Sequence, residues 1–172
     1  MKAIELFGGI GAFSEACKNV GGVEIIDYVE IDKNAVKSYN ALNNTNYQPT
    51  DIRDYNLTKQ CDILIHGSPC QDFSLAGKQL GAIQGTRSGL LYETLRIIKE
   101  TKYKPKYIIW ENVKNLLSKK MKPYLDDYID KLKELGYNST YDVINAIDFG
   151  IPQTRERMFV VSQLGGSLIL IK

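Results

Sequence analysis

Short β-branched runs alternate with helix-patterned stretches from one end of this chain to the other, and that alternation narrows the available folds more than any other feature. Strands are expected at 2–7, 23–30, 63–66, 107–110, 141–145 and 157–163, and helices at 12–20, 33–43, 89–101 and 122–135, the last stopping at Gly136. Strand and helix in alternation are the mark of βαβ units wound around a sheet whose strands run mostly parallel. The expected class is α/β, Rossmann-like and doubly wound. At 172 residues and 44% hydrophobic content the chain can bury one substantial core, which favours a single domain.

Ligands of such sheets bind outside the carboxyl ends of the strands, where loops converge and helix N-termini point inward. Every unusual motif of this sequence falls at such an end. Glu5-Leu6-Phe7-Gly8-Gly9-Ile10-Gly11-Ala12-Phe13 runs from a strand through a glycine-rich turn into a helix. There the backbone can approach a ligand closely and free N–H groups can meet an anion. A packing role for the turn would account for it equally well were it alone. Glu30 follows about 20 residues on, where a carboxylate can accept both hydroxyls of a ribose. Asp51-Ile52 ends a later turn and suits an adenine amino group, or else simply caps that turn. The three together suggest an adenosine-containing cofactor, dinucleotide or S-adenosylmethionine.

Beyond the strand at 63–66 comes Gly67-Ser68-Pro69-Cys70-Gln71-Asp72-Phe73-Ser74. A thiol presented at the mouth of a sheet is a candidate nucleophile once its neighbours lower its pKa. His66, the single histidine, lies within the strand and reads as a hydrogen-bonded core residue rather than a general base, which argues against a cysteine protease. Trp110-Glu111-Asn112-Val113 follows an apolar strand. Beside a thiolate, Glu111 would hold its proton longer and could donate it to a ring nitrogen. In Ile151-Pro152-Gln153-Thr154-Arg155-Glu156-Arg157, alternation along an extended segment would turn Gln153, Arg155 and Arg157 to one side. Arginines there suit a carbonyl oxygen or a phosphate.

In this order the four elements resemble the DNA (cytosine-5)-methyltransferase family, which places a Phe-x-Gly-x-Gly loop, Pro-Cys-Gln, Glu-Asn-Val and Gln-x-Arg-x-Arg in the same succession. The likeness runs from Ile4 to about Val161. It implies the S-adenosylmethionine-dependent methyltransferase variant of the α/β fold and methyl transfer to C5 of cytosine. By resemblance Cys70 attacks C6, Glu111 protonates or hydrogen-bonds N3, and Arg157 steadies O2, with Gln71, Asn112 and Arg155 in the same catalytic set. The cofactor is S-adenosyl-L-methionine, held by Phe7, Gly9, Gly11, Glu30, Ile31, Asp51, Ile52, Pro69 and Leu90. Double-stranded DNA is the implied partner, with the base flipped out of the stack. Residues 72–87, with Gly77, Gly81 and Gly85 as hinges and Lys78 and Arg87 for phosphates, resemble the family's mobile catalytic loop.

The sequence departs from the family pattern in that Ala12 stands where a glycine is frequent. It also stops soon after the Gln-x-Arg-x-Arg strand, before the target-recognition domain and the last motifs. Residues 1–163 are therefore expected to be the catalytic domain and 164–172 a short apolar edge for docking, centred on Leu168–Ile171. A formal charge of +2 is small for a chain gripping DNA unaided. The expectation is a catalytic subunit or fragment, inactive without a second polypeptide that carries recognition. The rivals are an RNA cytosine-5 methyltransferase acting on transfer RNA, and a truncated protein that binds cofactor or partner without turnover. Cys17, Cys61 and Cys70 form no Cys-x-x-Cys pair, so neither a metal site nor a disulfide framework is expected. No apolar run is long enough for a membrane span, and a cytoplasmic location is expected.

Overall fold

A computed structural model describes residues 1–69 and 89–166. Cys70, Gln71, the loop expected at 72–87 and the apolar end Leu168–Ile171 lie outside the described residues. The elements are β1 (Lys2–Leu6), α1 (Ala12–Val20), β2 (Glu24–Val29), α2 (Lys33–Asn43), β3 (Ile63–His66), α3 (Gly89–Glu100), β4 (Tyr107–Val113), α4 (Lys122–Glu134), β5 (Tyr137–Asn145) and β6 (Glu156–Leu164). Every expected strand and helix is present. Two strands are longer than their apolar patterns. β4 continues through Glu111, Asn112 and Val113 because β6 supplies ladder partners for all three. β5 begins at Tyr137, and its polar start is held by pairing with β6 and by a 2.7 Å hydroxyl contact between Ser139 and Ser162.

The six strands form one sheet in the order β2-β1-β3-β4-β6-β5. β1 runs parallel to β2 and β3, and β3 to β4, whereas β6 is antiparallel to both β4 and β5. The winding reverses at β1, since the chain steps to one side for β2 and to the other for β3. That reversal opens a crevice where the loops after β1 and β3 part.

Alternation along each strand divides the core in two. Ile4, Leu6, Leu64, Ile108, Trp110, Met158 and Val160 meet α3 and α4 through Leu91, Ile98, Leu125 and Tyr128 on one face. Ala3, Ile63 and Ile65 face the other way onto Phe13 and Cys17 of α1. α2 adds Val36 and Tyr39, packed on Tyr28 of β2. Helices thus cover both faces, as a doubly wound sheet requires. No helix among the described residues is long and apolar enough to cross a membrane.

Candidate active site

The register of the sheet places Leu6 and His66, the last residues of β1 and β3, side by side with Trp110 of β4. The residues that follow them, Phe7, Gly67 and Glu111, therefore emerge together at the carboxyl edge. Two cavities open there. One, of about 410 Å³, is lined by Phe7, Val29, Glu30, Ile31, Thr50, Asp51, Ile52, Arg53, Gly67, Pro69 and Leu90. The second, of about 340 Å³, is bounded by Glu111, Asn112, Val113, Asn115, Met121, Arg155 and Arg157. Gly67 and Pro69 line both. The segment leading directly to Cys70 is thus the partition between them.

The first cavity gathers seven of the nine residues expected to hold the cofactor. Gly9 and Gly11 do not line it; they stand in the turn between β1 and α1 that follows Phe7. Gly11 stands before α1 at φ 95°, and a Cβ there would lie 2.7 Å from the Tyr39 ring. A Cβ on Gly8 would lie 2.5 Å from the Tyr28 ring. Tyr28 and Tyr39 stack with centroids 3.6 Å apart, and the Tyr28 hydroxyl donates to the Gly9 carbonyl. Beneath them, buried Glu5 accepts from Ser14, whose hydroxyl also meets Tyr39 at 2.9 Å. Burial raises the Glu5 pKa above the usual carboxylate value, partly offset by its hydrogen bond from Ser14. Neither tyrosine nor Glu5 was evident as a site residue from sequence. The trace they leave in the sequence is Gly8 and Gly11, where a Cβ would meet the two tyrosine rings.

Glu30 closes the loop from the opposite wall. Its carboxylate accepts from the amides of Gly9 at 3.0 Å, Ile31 at 2.8 Å and Asp32 at 2.9 Å. A carboxylate offers about four acceptor positions, so capacity remains for a ribose hydroxyl. Asp51 caps the 3₁₀ turn Ile52–Asp54, as one of its two sequence readings expected, and it also lines the cavity. Arg53, unforeseen from sequence, forks onto its carboxylate. That hydrogen-bonded guanidinium holds the Asp51 pKa below the ordinary range. Phe7, Ile31, Ile52 and Leu90 supply apolar walls, and the volume lies within the range of small-ligand sites. Two carboxylates among apolar walls suit a ribose and an adenine, so the residues present fit S-adenosylmethionine.

Around the second cavity the decisive contact joins β4 to β6. Arg157 Nε lies 2.9 Å from Glu111 Oε1, with each side chain about three-quarters buried. Across the ladder Glu111 sits opposite Phe159 and Arg157 opposite Val113, so the two long side chains meet on the diagonal. β6 brings Arg157 to this edge because it is antiparallel and begins where the parallel strands end. The second oxygen of Glu111 lies 3.8 Å from where a Gly67 side chain would begin, so Glu111 faces the partition. Asn112 is buried and donates to the Ser68 carbonyl at 3.1 Å. Its part is to tether the partition's backbone.

Arg155 lines this cavity and is exposed, while its amide donates to Asn145 Oδ1 at 3.0 Å. The expected trio is not assembled. Gln153 precedes β6 in a tight turn, its amide donating to the Ile151 carbonyl at 2.7 Å, and does not line the cavity. Alternation of side chains starts only with the strand, so it reaches Arg157 but not Gln153. His66 is fully buried and shares a 2.9 Å hydrogen bond with the Tyr128 hydroxyl. Burial lowers its pKa to about 3, which keeps it neutral and agrees with its reading as a core residue.

A glycine loop, a strand-end carboxylate and a switch-point cavity define a sheet that binds an adenosine-containing cofactor, and the family match over residues 1–168 makes it a methyltransferase of the S-adenosylmethionine-dependent class. The solved structure of S. pombe Dnmt2 methyltransferase has the same fold, with a TM-score of 0.80 at 21% identity, covering 97% of this chain and 52% of that one. The sequence profile described as C-5 cytosine-specific DNA methylase matches residues 1–168, and the chain belongs to that family. The orphan methyltransferase M.SPRI of Bacillus phage SPR is 36% identical over 166 residues, which are 94% of this chain and 37% of that protein. The type II methyltransferase M2.ScrFI of Lactococcus lactis subsp. cremoris is 43% identical over 133 residues, 75% of this chain and 36% of that one. The chain thus spans little more than a third of these relatives.

Proposed function

We propose that these residues carry the catalytic part of a DNA (cytosine-5)-methyltransferase that uses S-adenosyl-L-methionine. The observation that carries this reading is the partition Gly67–Pro69, which borders both cavities and leads straight into Cys70. A donor on one side and a flipped cytosine on the other would then meet beside the nucleophile.

Phe7, Glu30, Ile31, Asp51, Ile52, Pro69 and Leu90 would hold the cofactor, and Gly9 and Gly11 would shape its loop. Bound there, S-adenosylmethionine supplies an electrophilic methyl group. The Cys70 thiolate adds its electron pair to C6 of the base, and the C5–C6 double bond gives up its pair toward N3. Glu111 must carry a proton to donate at N3, so its ion pair with Arg157 opens in this step and frees Arg157 to steady the O2 oxygen. C5 is thereby made nucleophilic. Once C5 bears the methyl group, a solvent base takes the C5 proton, the C–H electron pair restores the C5–C6 double bond, and Cys70 leaves as thiolate.

The reading includes a second polypeptide that supplies target recognition. What supports it is the formal charge of +2, small for a surface that must hold a duplex alone. The test is covalent trapping on duplex DNA containing 5-fluorocytosine, with and without the product of the adjoining reading frame. Fluorine cannot leave as a proton does, so an adduct should accumulate, and only when the second polypeptide is present. An adduct with Cys70→Ala would sink the assignment, and preferential trapping on structured RNA would move the substrate from DNA to RNA.

A further inference from the structure

Arg96 of α3 lies outside both cavities, yet every N–H of its guanidinium is engaged. Nε donates to Glu93 at 2.6 Å, and Nη1 to Glu100 at 3.0 Å and to Asn56 Oδ1 at 3.1 Å. Nη2 donates to the carbonyls of Ile52 at 3.1 Å and Tyr55 at 2.9 Å, with a longer contact to Arg53 at 3.5 Å. Glu93 and Glu100 stand one helical turn to either side of Arg96 and hold the group in place from its own helix. The remaining donors close the turn that follows Asp51. Its own backbone bonds are two, from the Asp54 amide to the Asp51 carbonyl and from the Tyr55 amide to the Ile52 carbonyl, and the Asp51 carboxylate caps it by accepting from the Arg53 amide at 2.9 Å and from the Arg53 guanidinium. All of these lie within the turn, and none ties it to α3.

A turn this short has little packing to fix it, and of its residues only Ile52 is buried. The guanidinium therefore sets where Asp51 and Ile52 stand relative to α3, whose Leu90 forms another wall of the same cavity. We infer that Arg96 is a positioning residue for cofactor binding, fastening the adenine-side turn to α3 from outside the cavity. This rests on the reading that Asp51 meets the cofactor. A planar fork with five donors is what the task needs, because it must reach two separated carbonyls and an amide side chain while anchored by two carboxylates. Lysine keeps the charge but has one nitrogen and no fork.

The experiment measures equilibrium binding of S-adenosylhomocysteine to the full chain by calorimetry for Asp51→Ala, Arg96→Lys and the double variant. Each single change is expected to weaken binding about tenfold, and the double variant to fall within about twofold of the weaker single. Residues acting through one turn are not additive, whereas general loosening of the fold would multiply the two losses. Hydrogen exchange supplies a second readout, in which Arg96→Lys speeds the Asp54 and Tyr55 amides and leaves β1 unchanged. Should Arg96→Lys unfold at the assay temperature, Glu93→Gln carries the same cycle with a smaller loss. Binding by Arg96→Lys within about twofold of wild type, or full multiplication in the double variant, overturns the inference. If Asp51→Ala binds as wild type does, the reading beneath it fails instead.

Discussion

The two cavities beside Gly67–Pro69 hold their charges in different ways. On the donor side, Glu30 is fixed by the amides of Ile31 and Asp32 beside it and of Gly9 in the neighbouring loop after β1, and Asp51 by an arginine two residues away. On the base side, Glu111 is held by Arg157, which arrives from a distant strand. The first site takes its carboxylate contacts mostly from the βα turns themselves, with the stacked tyrosines and Arg96 of α3 supporting those turns from outside. The second exists only because an antiparallel strand has been inserted beside β4. Such a difference predicts that substitutions should separate cleanly, with cofactor binding and base chemistry damaged independently.

The largest effect expected is at the nucleophile itself. Cys70→Ala should abolish the 5-fluorocytosine adduct while S-adenosylhomocysteine binding, followed by calorimetry, stays within about twofold of wild type. A parallel loss of cofactor affinity would break the separation of the two sites. Glu111→Gln comes next, with the trapping rate falling roughly 10²- to 10⁴-fold, as for a lost proton donor. Cofactor affinity should again hold. If it falls with the rate, the ion pair is supporting both cavities.

Glu30→Ala should do the opposite. Hydrogen bonds to a charged carboxylate are worth about 1.5–3 kcal/mol, so binding of S-adenosylhomocysteine should weaken roughly 10- to 100-fold. Trapping at saturating cofactor should then recover most of its rate. A defect that saturation does not relieve would show that Glu30 also positions the base-side wall.

The smallest effect tests what stands behind the partition. His66 is neutral when folded, its pKa lowered by burial from 6.5 to about 3. The unfolded chain therefore binds this proton first as the pH falls. The stability this group contributes is complete above 6.5 and is lost as the pH drops from there toward about 3. Urea unfolding should show a loss of about 1 kcal/mol from this residue between about pH 6.5 and about pH 5.5, a slope that His66→Asn flattens. An unchanged slope in the variant would mean that His66 takes up a proton within the native protein.

Much of this architecture was legible without coordinates. Apolar runs and helical periods located all ten elements, because period and turn chemistry are local properties. The strand ends of β4 and β5 were not, since Glu111, Asn112 and Asn138 look like loop residues until β6 gives their backbone partners. At the site, motif order named Glu30, Asp51, Glu111 and Arg157. It overreached at Gln153, where a turn interrupts the alternation. It was silent on Tyr28, Tyr39, Arg53 and Arg96, which have ordinary patterns in their own elements and acquire a purpose only through what they touch.

The sequence by itself therefore determined the α/β class, the placement of the chemical groups at strand ends, and the kinds of reaction those groups allow. Only the tertiary structure decided the strand order, the pairing of Glu111 with Arg157, the stacked tyrosines under the glycine loop, and the common partition between the cavities. The physical reason is range. Hydrophobic period and turn preference act over a few residues and can be read along the chain, whereas strand direction and register follow from burying two sheet faces at once.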